Sequence, residues 1–178
     1  MALEHAILVS LAERAASGYD LARRFDASIG HFWHASHQQI YRVLGRMVSG
    51  TWVAAEVIPQ EGRPDKKVYT LTDAGHTELR RWLSEPSGRE PLRSEFAVRL
   101  RALHLADRET LIADVENRRA EHAARLGEYE ASETTFFPEP SSLTEAQVGP
   151  YLVLRGGQRT EQAAIDWCDE ILAYLEAR

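Results

Sequence analysis

The sequence has a single cysteine, Cys168, and no long apolar run. One cysteine excludes an internal disulfide framework and a zinc site built from cysteines. No stretch of about 18 or more apolar residues is present, which argues against a transmembrane helix. The first residues carry an acid, Glu4, where a signal peptide would carry basic residues. These absences predict a cytoplasmic protein with no membrane partner.

The motifs that bring catalytic groups together are also missing. The sequence has no phosphate-binding G-x-x-x-x-G-K-[ST] loop and no G-x-S-x-G nucleophile turn. His31, His34 and His37 have a spacing that could place metal ligands on one helical side. However, Gly30 and a helix cap at Ser36 interrupt any helix through them. We therefore predict no metal, no cofactor and no enzymatic activity.

Basic charge is scarce overall, since the formal net charge is −6. Residues 1–86 hold ten Lys/Arg and ten Asp/Glu, so the surplus acid lies entirely in residues 87–178. An acidic protein binds nucleic acid only through local contacts with phosphates, and that binding depends strongly on salt. The charge distribution leaves the N-terminal half free to make such contacts.

A helical pattern begins at Ser36, which forms an S-x-x-Q capping box with Gln39. Apolar residues recur at the spacing of an amphipathic helix: Ile40, Val43, Leu44, Met47 and Val48. The opposite side is polar and carries no acid. Gly50 stands where a left-handed residue would end the helix.

The pattern then changes from helix to strand. Residues 51–59 and 66–71 have the alternating, β-branched composition of two short strands, and QEGRPD between them is typical of a turn. A helix followed by a hairpin with a basic tip is typical of a winged helix-turn-helix. The helix suits a major groove, and the hairpin suits the neighbouring phosphates or minor groove.

The rest of the chain is predicted to be helical. Helices are expected over 3–14, from Ser17 towards Gly30, from Thr72 to Glu85, and over about 94–105, 107–132 and 143–175. The proline-rich segment Pro86–Pro91 predicts a boundary between a winged-helix DNA-binding domain, 1–86, and an all-helical dimerisation domain, 92–178. The predicted fold class is mainly α. The spacing of the inward residues of the long helix predicts a coiled-coil-like seam formed by Val115, Arg119, His122, Leu126 and Tyr129. Within this seam, His122 is predicted to lie at the dimer contact.

Three motifs together resemble the PadR family of bacterial transcriptional regulators. They are Gly18-Tyr19-Asp20-Leu21, Ile40-Tyr41-Arg42-Val43-Leu44, and Glu61-Gly62-Arg63-Pro64-Asp65-Lys66-Lys67-Val68-Tyr69. The resemblance is to the longer members, whose C-terminal helices make the dimer. It implies a homodimeric repressor bound to double-stranded operator DNA, often released by a small ligand.

The predicted DNA-binding residues are Tyr19, Ser36, His37, Gln38, Tyr41, Arg42, Arg46, Arg63, Lys66 and Lys67. Arg42 and Arg46 fit contacts with guanine edges or phosphates, although solvated surface cations would look the same. Tyr41 fits either the edge of the core or a phosphate hydrogen bond. The wing cations fit phosphate contacts, or gatekeepers that prevent edge-to-edge pairing.

The predicted dimer-interface and effector residues are Phe96, Leu126, Tyr129, Trp167, Ile171 and Tyr174. With Phe32, Trp33, Phe136 and Phe137, the aromatic rings suit a planar or phenolic ligand, or they simply fill the interface. An alternative function is a winged-helix protein–protein adaptor without DNA binding, which the acidic net charge favours.

Overall fold

The computed structural model describes residues 2–27, 35–60, 62, 65–88 and 94–177. The chain divides into two compact units, Met1–Pro91 and Leu92–Arg178. The predicted fold class is confirmed, because a winged helix-turn-helix is followed by a long helical region. None of the helices in the described ranges combines the length and apolar composition that a bilayer crossing requires.

The described residues of the first unit form four helices and a small antiparallel sheet. Its elements are α1 (Ala2–Glu13), β1 (Ala16–Ser17), α2 (Gly18–Ala27), α3 (His37–Ser49), β2 (Val53–Ile58), β3 (Lys66–Leu71) and α4 (Asp73–Leu83). The strand order is β1-β3-β2. One stripe of each helix packs on the inner residues of the sheet, and the fully buried large side chains of this core are Ile7, Leu8, Leu21, Phe25, Ile40, Leu44, Met47 and Val53.

The predicted caps hold α3 and α4 at their first turns. The Ser36 hydroxyl accepts from the Gln39 amide at 3.3 Å, and the Gln39 side chain accepts from the Ser36 amide at 2.8 Å. Thr72 caps α4 by accepting from the Gly75 amide at 3.1 Å. These bonds, reciprocal at Ser36 and single at Thr72, satisfy amides that a helix leaves without partners at its start.

The end of α3 differs from the prediction. Gly50 has a φ of −83°, and Thr51 has the left-handed φ of 63° instead. The turn is a Schellman motif one residue later than predicted, because the Thr51 amide donates to the Val48 carbonyl at 3.1 Å and the Trp52 amide donates to the Met47 carbonyl at 3.0 Å. The Thr72 hydroxyl adds a hydrogen bond to the Thr51 carbonyl from a distant segment. Together these bonds hold Thr51 in a conformation that a β-branched residue rarely adopts.

Strand β1 was not predicted from the sequence. It has only two residues, which pair with β3 as Ala16 with Tyr69 and Ser17 with Val68. A segment this short has no measurable alternation, so only its partner strand defines it. The pairing joins the start of α2 directly to the wing.

The second unit is a long helical hairpin with a short helix beside it. Its elements are α5 (Glu95–Arg101), a 3₁₀ turn (Leu103–Leu105), α6 (Arg108–Phe136), a second 3₁₀ turn (Pro140–Ser142) and α7 (Glu145–Glu176). Its core contains Phe96, Leu111, Val115, Cys168 and Leu175. Asp107 caps α6 as predicted, accepting from the Thr110 amide at 2.9 Å.

Two features of α6 differ from the prediction. The helix continues past Ser132 to Phe136, since the hydroxyls of Thr134 and Thr135 donate back to helical carbonyls instead of starting a loop. His122, predicted to lie in a dimer seam, has its Nδ1 2.5 Å from Glu161 on α7 of the same chain. The polar part of the predicted seam thus closes the hairpin within one chain.

A charged and aromatic cluster joins α1 to α4. His5 is 5% exposed, stacks on the Trp82 ring with centroids 4.7 Å apart, and has its Nε2 2.9 Å from Oε1 of Glu78. Arg81 binds both oxygens of the same carboxylate, at 2.7 and 2.8 Å. Hydrogen bonds from Arg81 and then His5 lower the pKa of Glu78 to about 2. The ionised carboxylate therefore connects the two helices.

We predict that Glu78→Gln lowers the free energy of unfolding by ~1 kcal/mol at pH 7, because solvent screens the half-exposed Arg81. A carboxyl with a lowered folded-state pKa stabilises the fold above its unfolded pKa of about 4.3, and this contribution disappears as the pH falls towards about 2. The difference between the two proteins should therefore shrink below pH 4. Urea unfolding at a series of pH values measures it.

The matched control is Glu85→Gln, which removes a more exposed carboxylate from the same arginine. Its effect should be less than half that of Glu78→Gln. An equal effect, or a constant difference from pH 7 to pH 2, would contradict the role of Glu78.

Candidate nucleic-acid interface

The outer side of α3 is polar and carries no acidic residue. Burial of Ile40, Val43, Leu44 and Met47 fixes the rotation of the helix about its axis. The exposed side chains of this helix include His37, Gln38, Tyr41, Arg42 and Arg46. An α-helix with its side chains is about 10–12 Å wide, which matches the major groove of B-DNA.

Tyr41 packs where α2 begins. A Cβ added to Gly18 would overlap the Tyr41 ring, so glycine allows α2 to start directly beside this side chain. Tyr41 is nevertheless 47% exposed, and Tyr19 is 59% exposed. Tyr41 thus combines the two alternatives left open by the sequence, since it packs against α2 and also keeps exposed surface.

The two arginines of α3 differ in their surroundings. NH2 of Arg46 lies 2.7 Å from Oε1 of Glu4 on α1. Arg42 is exposed, and no carboxylate pairs with it in the part of the chain that the structure describes. Arg42 is therefore available to a partner, whereas Arg46 is held by an ion pair.

The wing shows the same difference between its lysines. The β2–β3 register runs from Val53 opposite Leu71 to Ile58 opposite Lys66, so Lys66 and Lys67 lie at the end of the hairpin nearest the turn. Nζ of Lys66 is 2.9 Å from Oδ2 of Asp20, while Nζ of Lys67 lies 5.6 Å from the centre of the Tyr69 ring. Arg63 lies outside the described residues.

Asp20 was predicted only as part of a helix start, but it has a second role. Its Oδ2 accepts a hydrogen bond from the Ser17 hydroxyl at 2.7 Å and also binds Lys66. The hydrogen bonds from Lys66 and Ser17 lower the pKa of Asp20. The sequence shows the cap but not the wing lysine, because 46 positions separate Asp20 from Lys66.

The arginines beside Asp20 were also not predicted from the sequence. An open depression is lined by Arg14, Ala15, Asp20, Arg23 and Arg24. The Arg24 guanidinium donates to the carbonyls of Ser10, Arg14 and Ala15, and so closes the C-terminal end of α1. The exposed residues Arg14 and Arg23 add positive charge to this side of the unit.

The predicted interface and effector residues of the second unit fall into two groups. Phe96 and Tyr129 are only 5% and 7% exposed, so they lie inside the unit. They can position the residues of an interface but cannot contact a second chain over much of their surface. Leu126 and Ile171 are half-buried. Trp167 and Tyr174 keep 42% and 51% of their surface exposed. Phe32, Trp33, His31 and His34 lie outside the described residues.

The first unit has a capped helix with an acid-free outer side, and beside it a hairpin with lysines near its tip. These two features define a winged-helix DNA-binding domain. The model of the transcriptional regulator PadR-like family matches residues 7–81, and that of the virulence activator alpha C-terminal family matches residues 92–176. The chain belongs to the PadR-like family. It is a DNA-binding transcriptional regulator and not an enzyme, which goes against the adaptor alternative.

Three relatives illustrate the similarity. The probable transcriptional regulator Rv1176c of Mycobacterium tuberculosis is 49% identical over the full length of both chains. The negative transcriptional regulator PadR of Bacillus subtilis is 32% identical over 98% of this chain and 97% of its own. The virulence activator AphA of Vibrio cholerae has a TM-score of 0.80 at 35% identity, over 98% of both chains.

Bacillus subtilis PadR has been solved with two partners. Its complex with operator DNA has a TM-score of 0.88 at 29% identity, over 98% of this chain and 99% of that one. Its complex with p-coumaric acid has a TM-score of 0.82 at 28% identity, over 99% of both chains. The similarity therefore extends over the winged helix and the helical region together.

We predict that Arg42→Ala lowers the affinity for a specific DNA site by about 1–3 kcal/mol, because a bidentate arginine contact with a base carries that much discrimination. Lys67→Ala should weaken all sequences alike and reduce the slope of log K against log salt by about one unit, since a phosphate contact carries no sequence information. Fluorescence anisotropy at several salt concentrations measures both effects.

Arg80→Ala is the matched control, since it removes an exposed cation from α4, which is neither the predicted recognition helix nor part of the wing. It should change neither affinity nor slope. Unchanged site affinity in Arg42→Ala would remove this arginine from the recognition surface.

Proposed function

We propose that the protein is a homodimeric repressor that binds an inverted-repeat operator, with α3 in the major groove and the wing on the neighbouring phosphates. The acid-free outer side of α3 carries this proposal, because only such a side can approach a phosphate-lined groove without charge repulsion. Regulation of transcription requires access to the chromosome, so we infer that the protein acts in the cytoplasm.

Similarity to Bacillus subtilis PadR supports repression. That relative is named a negative regulator and has been solved on its operator. AphA is named an activator, and its identity to this chain is comparable. Structures of PadR have TM-scores from 0.78 to 0.88, and its operator complex has the highest of these, against 0.80 for AphA. The similarity to the operator-bound form of a negative regulator supports the repressor.

The outer side of α7 supports a dimer. The side facing α6 buries Gln158, Glu161, Ile165, Cys168 and Leu175. By helical periodicity the opposite side carries a second apolar stripe with nothing packed near its glycine Gly156: Val148, Leu152, Gly156, Trp167 and Tyr174. A stripe of this kind is typical of a surface that a second copy covers in a two-fold dimer.

Two-fold symmetry makes a prediction about the DNA. Selection from a random DNA library with the purified protein should recover an inverted repeat, with half-site centres about 10 base pairs or a multiple of this apart. Leu152→Glu should be monomeric in sedimentation velocity and should bind with lower affinity, since a buried glutamate opposes association across the apolar stripe.

Val98→Glu is the matched control, since Val98 is equally exposed, at 68% against 62% for Leu152, but lies on α5. It should remain dimeric. Circular dichroism checks that both variants keep their helical content. A selected site without internal symmetry, or a Leu152→Glu protein that still sediments as a dimer, would contradict the proposal.

We further propose that a planar phenolic ligand releases the repressor. The support is the complex of Bacillus subtilis PadR with p-coumaric acid, together with the partly exposed rings of Trp167 and Tyr174. Trp167 also stacks edge-on against Phe96, with centroids 5.4 Å apart. A ligand between flat rings can change their packing, but it shifts DNA binding only by its preference for one state.

We predict that p-coumarate quenches tryptophan fluorescence and lowers operator affinity at least about tenfold, which requires a preference of ~1.4 kcal/mol for the released state. The matched control ligand is the saturated, non-planar 3-(4-hydroxyphenyl)propanoate, which should be weaker. Trp167→Phe should reduce the quenching while keeping DNA binding. If both ligands leave operator affinity unchanged, the aromatic rings serve the interface alone.

A further inference from the structure

Two of the cations on the candidate interface are already bound to carboxylates. Arg46 of α3 pairs with Glu4 of α1 at 2.7 Å, and Lys66 of β3 pairs with Asp20 of α2 at 2.9 Å. Both carboxylates come from the two helices that precede α3. Arg42 and Lys67, on the same two interface elements, have no carboxylate partner within the described ranges.

Folding stability alone does not explain these pairs. The Lys66 and Asp20 side chains are 40% and 43% exposed, and Arg46 is 64% exposed, although its partner Glu4 is only 18% exposed. Ion pairs at such exposed positions contribute little to folding, because solvent screens them and the side chains lose conformational freedom. Their consequence lies in the charge that the interface presents, since each carboxylate cancels a cation that would otherwise contact phosphate.

We propose that Glu4 and Asp20 determine specificity by holding Arg46 and Lys66 away from DNA that does not fit the interface. This inference rests on DNA binding through α3 and the wing. In a loose complex with non-operator DNA, cation–phosphate attraction is the main favourable contribution, so a cation held by its carboxylate adds little. In the closely docked operator complex, phosphates and base edges surround the cation and displace the carboxylate.

The carboxylates also act as a repulsive element. If a docked phosphate does not displace Asp20 or Glu4, it lies near a negative charge and is repelled by it. This repulsion weakens binding to non-operator DNA more than binding to the operator, where the carboxylates are displaced. The ion pairs therefore reduce affinity for all DNA but reduce it most for non-operator DNA. The quantity they improve is the ratio of the two affinities.

Neutral isosteres test this inference. Asp20→Asn keeps an oxygen that can accept from the Ser17 hydroxyl, and Glu4→Gln keeps an acceptor for Arg46. Each should raise the affinity for non-operator DNA about five-fold and the affinity for the selected operator by less than about two-fold. Each should also steepen the salt slope on non-operator DNA by about one unit, because one more cation neutralises phosphate.

Two controls separate this mechanism from a general change of charge. Glu13→Gln removes the same charge from the exposed end of α1 and should leave the affinity ratio unchanged. In a Lys66→Ala background, Asp20→Asn should steepen the slope much less, since no lysine remains to be released and only the direct repulsion by Asp20 is removed. An equal steepening with and without Lys66 would show simple repulsion and would overturn the holding role of Asp20.

The outcomes also separate this inference from the function on which it rests. If the unaltered full-length protein binds no DNA at low salt, the proposed function fails. If it binds, but Asp20→Asn and Glu4→Gln keep the same operator-to-non-operator ratio, only the counter-ion role is overturned.

Discussion

The rotation of α3 about its axis is the constraint on which the rest of the first unit depends. Four apolar side chains on one side of this helix are buried in the core, and the Ser36–Gln39 box fixes its first turn. Once that side is buried, the opposite side is determined as well, because 3.6 residues per turn leave no freedom to re-aim it. The polar, acid-free surface of α3 is therefore a consequence of hydrophobic packing. The DNA-binding surface therefore depends on the packing of the core, and a substitution that rotates α3 would change the direction of all its exposed side chains.

Close backbone packing attaches the wing to this helix. Gly75 leaves room for the Trp52 carbonyl at the start of α4, just as Gly18 leaves room for Tyr41 at the start of α2. The short β1 pairs with β3, and Asp20 binds Lys66 across the same junction. The wing is thus held by main-chain hydrogen bonds, glycine contacts and one ion pair. Such an arrangement positions lysines at the hairpin end with little loss of entropy when they meet a partner.

The helical unit divides its interior into an apolar half and a polar half. Phe96, Leu111, Val115 and Cys168 pack near one end, while Glu133, Gln158 and Glu161 form hydrogen bonds near the other. Gln158 donates to Glu133 at 2.6 Å and lowers the pKa of that carboxyl. Polar groups that must find one another fix the register of two long helices, which apolar contacts alone would specify poorly. Because α6 covers the inner side of α7, the apolar residues on the outer side of α7, such as Leu152, stay exposed within the chain.

The sequence by itself determined the elements whose causes are local. Periodicity predicted α3, the two wing strands and the long helices, and side-chain caps at Ser36, Thr72 and Asp107 set their starts. The motifs around Gly18, Ile40 and Lys66 also indicated the family. Tertiary structure alone decided what depends on distant partners: the two-residue β1 and the placement of His122 against Glu161. It also decided that two of the predicted DNA-binding cations form ion pairs, Arg46 with Glu4 and Lys66 with Asp20. Sequence spacing reports neighbours within one element, whereas ion pairs over 42 or 46 positions exist only after the chain has folded.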